Sequence, residues 1–90
     1  MIVTLHRTAI VEKLPPHCEV EIEEGATFGD LIDLLDRKYG AIKEKILDQG
    51  RLKEGVLVLV NGISILRLDG SGMILRDGDD ILLSVTVIGG

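Results

Sequence analysis

Ninety residues leave room for one compact domain and exclude a multidomain enzyme. With 46% apolar and 28% charged residues the chain is too hydrophobic for an intrinsically disordered one. Its formal charge of −5 repels phosphate backbones and offers no basic stripe, which argues against nucleic acid as a ligand.

Ile2 to Val11 is rich in β-branched residues and partly alternates, with Val3 and Leu5 on one side and Thr4, His6 and Thr8 on the other, so it reads as a first strand. Pro15-Pro16 bars ladder pairing and forces a turn. Cys18 to Glu23 then alternates strictly, with Cys18, Val20 and Ile22 on one face and three glutamates on the other, a second strand hairpinned to the first. Thr27, with Asp30 three residues on, marks a helix start of capping-box type. Phe28, Leu31, Ile32, Leu35 and Tyr39 make one apolar helical stripe, and Gly40 supplies the stop.

Ala41 to Leu47 fits a short second helix with Ile42 and Ile46 inward, followed by a loop from Asp48 to Gly55. Val56 to Val60 is a continuous aliphatic run typical of a strand buried on both sides, and Asn61-Gly62 is a type I′ hairpin signal that sends Ile63 to Leu66 back along it. Asp69 to Gly72 reads as a flexible loop, Asp77 to Asp80 as a tight acidic turn, and Ile81 to Val87 as the last strand.

Cys18 is the sole cysteine, which removes an intrachain disulfide, an iron–sulfur cluster and a cysteine-based zinc site, and fits the reducing cytoplasm. Its alternation with Val20 and Ile22 makes it a buried structural thiol. Met1 to Ile10 reads as a strand rather than as a signal peptide, and no stretch reaches the ~18 to 20 apolar residues of a membrane span. Gly70-Ser71-Gly72 lacks the third glycine, the Lys-Ser/Thr pair and the helix of a phosphate-binding loop. His6 and His17 have no metal-ligand spacing, Asp77, Asp79 and Asp80 form a short acidic turn expected to be only solvated, and no serine completes a triad, so neither a metal nor a resident cofactor is expected.

Gly89-Gly90 remains. Glycine costs more ordering entropy than any other residue and packs nothing, so two of them after a strand read either as a frayed end or as a functional tail. A tail without side chains can thread a narrow channel and present its terminal carboxylate to another protein. At ~3.3 to 3.6 Å per extended residue, Val87 to Gly90 reaches roughly 13 Å beyond the last strand.

The order strand-strand-helix-strand-strand, Val60-Asn61-Gly62 after the buried strand, Asp77-Gly78-Asp79-Asp80-Ile81 before the last one, and terminal Gly89-Gly90 together resemble the ubiquitin-like sulfur carriers, among them the small subunit of molybdopterin synthase and the thiamine-biosynthesis sulfur carrier. The resemblance implies an α+β, β-grasp domain over residues 1–87, a mixed sheet of four to five strands with first and last strands parallel and one main helix across one face, and a flexible tail over 88–90. It implies a carrier rather than an enzyme. The Gly90 carboxylate would be adenylated by an ATP-dependent, ubiquitin-activating-like enzyme and converted to a thiocarboxylate for molybdopterin, thiamine thiazole or tRNA thiolation, with Ile88 and Gly89 threading into the partner. A sulfur donor and a sulfur-accepting synthase or enzyme complete the implied partners, and ATP is used by the activating enzyme rather than bound here.

Molybdopterin-synthase relatives often carry Pro-Pro and an aromatic before the tail, where this chain has Ser84 to Ile88, which leaves the acceptor pathway open. Thr4, His6, Ser84 and Thr86 are expected on the outer face of the sheet, opposite Val3, Leu5, Leu83 and Val85, as a polar surface suited to a transient partner. Two other readings stand beside the carrier: a protein modifier joined to lysines through Gly90, and a non-covalent β-grasp interaction domain.

Overall fold

The structure is a computed structural model that describes residues 1–8, 10–65 and 71–85. β1 (Ile2–Arg7) and β2 (His17–Glu21) pair antiparallel from Ile2 opposite Glu21 to His6 opposite His17. The first strand is shorter than its β-branched run. After Arg7, whose N–H donates to Pro16 O, the chain turns and carries Val11 and Leu14 into the core. Burial of those two side chains outweighs extending a strand that the prolines leave without a partner.

α1 (Phe28–Tyr39) starts at a complete capping box: Asp30 N donates to Thr27 Oγ1 at 3.2 Å and Thr27 N donates to Asp30 Oδ2 at 2.9 Å. Its apolar stripe is buried through Phe28, Leu31, Ile32 and Leu35, and Gly40, at φ 76°, ends it. α2 (Lys43–Ile46) is shorter than the expected piece but buries Ile42 and Ile46 as expected. The expected loop after it is instead a small ribbon of β3 (Leu47–Asp48) and β4 (Arg51–Leu52). Leu47 and Leu52 face each other and are buried, while Gln49 (φ 52°) and Gly50 (φ 78°) make the two-residue turn.

β5 (Val56–Val60) and β6 (Ile63–Ser64) form a hairpin about Asn61 and Gly62, both at positive φ as a type I′ turn requires. The returning strand is paired over Ile63 and Ser64, and Leu66, at its expected end, lies outside the described residues. β7 (Asp80–Val85) runs parallel to β1 and antiparallel to β5, giving the five-stranded order β2-β1-β7-β5-β6. Val3, Leu5, Val58, Ile81 and Leu83 point from one face of this mixed sheet into a core shared with α1. The fold is α+β with one main helix, the β-grasp arrangement, and the first and last strands are adjacent and parallel.

Candidate functional site

β7 is the central strand, paired with β1 from Asp80 to Leu83 on one side and with β5 from Ile81 to Val85 on the other. Its last described residue, Val85, pairs with Val56, and Thr8 N donates to Leu83 O beside it. The chain therefore leaves for residue 86 from a doubly held strand. Thr86, Ile88, Gly89 and Gly90 lie outside the described residues.

Thr4, His6 and Ser84 stand on the face opposite Val3, Leu5 and Leu83, as their parity dictates. The parallel register sets Thr4 beside Asp80 and His6 beside Leu82. Thr8 Oγ1 donates to Ser84 Oγ at 3.2 Å. Val85, expected in the core, is 45% exposed because it ends the strand beyond the helix-covered part of the sheet. The outer face is also less polar than expected. Leu57 and Leu59 of β5 lie opposite Ser84 and Leu82, so a half-buried leucine strip, Leu57, Leu59 and Leu82, runs beside the polar positions. The run Val56 to Val60 is thus buried on one side only, through Val58 and Val60, with Val56 half-buried. Its alternation was hidden because leucine occupies the outer positions and valine the inner ones.

The acidic turn is built into the structure rather than only solvated. Ile2 N donates to Asp77 Oδ1 at 2.8 Å. Asp79, the one buried charged side chain among the described residues, accepts from Asn61 Nδ2 at 2.9 Å and from Arg76 N at 2.8 Å. Asp80 N donates to Asn61 Oδ1 at 2.9 Å, so the two turns flanking β5 and β7 are tied together. These carboxylates satisfy backbone and amide donors.

Cys18 sits on the core side opposite Leu5 and is half-buried rather than fully so. Burial pushes its thiol up from the usual value, and Lys38 opposes this by a smaller amount, which leaves a poor nucleophile at neutral pH. A concavity lies between the end of β2 and α1, near Met1, Glu21, Asp30 and Arg37, at the opposite end of β1 from the last residues of β7. Among the described residues no helix is long and apolar enough to cross a membrane, and no three His, Cys, Asp or Glu side chains converge as a metal cage.

Comparison with known proteins adds what the described residues do not hold. A family model described as the ThiS family matches residues 8–90. The chain belongs to the ThiS family. It is 33% identical over 69 residues to small archaeal modifier protein 3 of Haloferax volcanii, covering 77% of this chain and 75% of that protein. Among solved structures, a chain of the Amycolatopsis orientalis BexX/CysO complex superposes with a TM-score of 0.77 at 27% identity, covering 98% of this chain and 99% of that one. A putative molybdopterin converting factor, subunit 1, from Pyrococcus furiosus superposes with a TM-score of 0.73 at 27% identity, covering 96% and 98%. This ThiS-family chain is therefore a small ubiquitin-like protein of a kind that serves as carrier or modifier rather than as an enzyme.

Proposed function

We propose that the protein is a sulfur carrier whose reacting atom is the Gly90 carboxyl carbon. The observation that carries this reading is the ThiS-family match running through Gly89-Gly90, which follow in sequence a strand held on both sides. A terminal carboxylate of pKa about 3.3 to 3.7 is ionised at neutral pH and resists nucleophiles. It needs a leaving group.

In the proposed route a carboxylate oxygen of Gly90 attacks the α-phosphorus of ATP in an activating enzyme, and pyrophosphate departs. A persulfide sulfur then attacks the acyl carbon, AMP leaves, and a thiol cleaves the remaining S–S bond to give the thiocarboxylate. Ile88 and Gly89 thread the partner's channel. The outer sheet face with Thr4, His6 and Ser84, together with the leucine strip, rests on the activating enzyme and then on the sulfur acceptor, and Thr86 joins that contact. ATP belongs to that enzyme, and the sites of action are cytoplasmic. A molybdopterin, thiazole or tRNA acceptor is compatible with this chemistry.

A modifier reading is favoured by one observation, the likeness to small archaeal modifier protein 3. It shares the adenylation step and differs in the product, an isopeptide bond to a lysine. Intact-protein mass spectrometry after incubation with ATP, an activating enzyme and a persulfide donor separates them. A carrier gains the mass of sulfur replacing oxygen, and a modifier gives adducts the size of a second protein. Deleting Gly89 and Gly90 is expected to abolish both products without lowering the melting temperature. ATP consumption that persists undiminished in the deletion variant would overturn the proposal and leave a non-covalent interaction domain.

A further inference from the structure

The two histidines, eleven residues apart in sequence, meet on the outer face. Arg7 N donates to Pro16 O, and Met1 and Ile22 exchange both their bonds, so the alternation makes His6 and His17 a non-hydrogen-bonded pair, the closer of the two antiparallel kinds. Their Nδ1 atoms are 3.1 Å apart and their ring centroids 4.7 Å apart. Two ring nitrogens approach this closely only with an electrophile between or beside them, either one shared proton or a cation that accepts both lone pairs.

The other side of His6 fits both, and it is arranged as it is in a metal-ligating histidine. Asp80 Oδ1 lies 2.6 Å from His6 Nε2 and accepts its N–H, which turns the Nδ1 lone pair toward His17. A carboxylate behind an imidazole in this way is the usual second partner of a metal-ligating histidine. Nitrogens 3.1 Å apart, each about 2.0 to 2.1 Å from a metal, subtend about 95 to 100°, between square and tetrahedral coordination.

We infer that His6 and His17, with Asp80 behind His6, form a two-point clip for a divalent cation of the zinc, copper or nickel class. Imidazole suits these borderline metals and not magnesium or calcium. His17 is exposed and His6 half-exposed, so the cation enters from solvent and water fills its remaining positions. Metal-ligand motifs on one helix or loop are visible in sequence spacing, whereas a cross-strand pair depends on register.

Calorimetric titration of the full chain with Zn²⁺, Cu²⁺, Ni²⁺ and Mg²⁺ tests it, with far-UV circular dichroism on every variant. The expected result is one site for the first three ions and none for Mg²⁺. His6→Ala and His17→Ala should each weaken binding at least ~10-fold, and Asp80→Asn by about 10-fold or more. Cys18→Ser and deletion of Gly89 and Gly90 should change nothing, which separates this site from the carrier chemistry. Zn²⁺ should also shift the ring resonances of both histidines in NMR spectra. Zn²⁺ binding to a folded His17→Ala chain as tight as to the native one, or perturbation of one ring only, overturns the inference and leaves a proton-shared pair.

Discussion

Gly29, in the first turn of α1, has nothing to do with helix flexibility. A Cβ placed there would lie 2.9 Å from Ser71 O and 3.0 Å from Ser71 Cβ. The segment after residue 70 runs against the start of α1, where Phe28 N donates to Met73 O at 2.7 Å and Leu75 N donates to Ala26 O at 2.9 Å. Alanine would gain helix propensity of about 1 kcal/mol over glycine. Contact with a backbone carbonyl cannot be relieved by a rotamer change, so overpacking of about 1 to 3 kcal/mol should win. Gly29→Ala is expected to lower the denaturant midpoint without changing the slope, and a midpoint at or above that of the native chain would show that the 71–75 segment moves freely away from α1.

At the scale of elements, the joint between α1 and α2 depends on one carboxylate. Asp36 Oδ1 accepts from Ile42 N and from Lys43 N, each at 2.9 Å, and so caps α2 from the preceding helix. These two backbone donors hold the Asp36 pKa below the ordinary carboxylate value, with a smaller favourable contribution from the Lys43 charge and burial opposing. A carboxyl whose pKa is depressed in the folded state stabilises the fold above its unfolded pKa, about 3.9, and loses that contribution as pH falls through the folded value. Asp36→Asn keeps an acceptor but not the charge. The variant is expected to be less stable than the native chain at pH 7, with the gap closing as the pH is lowered below about 4. A gap that stays constant in urea titrations from pH 7 to pH 3 would mean that the charge contributes nothing. Lys43 Nζ, 2.9 Å from Asp33 Oδ1, is an exposed pair that should matter little in salt.

The whole molecule is a sheet with one face given to its core and the other to solvent, and this division decided what could be read from the sequence. Alternation in β2, the stripe on α1 and the Asn61-Gly62 turn each carry a local physical cause, and the β-grasp order followed from them together with the family likeness. The β3-β4 ribbon, the leucine strip and the meeting of His6 with His17 depend on which residues come opposite one another across strands, and no local pattern encodes that. The strip bears on the proposed function. Leu57, Leu59 and Leu82 are half-buried beside Ser84, close to where the chain leaves β7, so an activating enzyme that grips the residues beyond Val85 would also cover these side chains. Threonine at Leu59 or Leu82 keeps β propensity and removes apolar area from the outer face, while the valines and leucines of the inner face stay in place. Each substitution should cost the fold no more than about 1 kcal/mol, given partial burial of the side chain. If the strip is part of the docking surface, the double variant should bind the activating enzyme at least ~10-fold more weakly, because central apolar contacts dominate interface energies. Surface plasmon resonance against that enzyme reads the affinity and thermal unfolding reads the fold. Unchanged affinity in a folded double variant would confine recognition to the tail and the polar positions around Thr4 and Ser84.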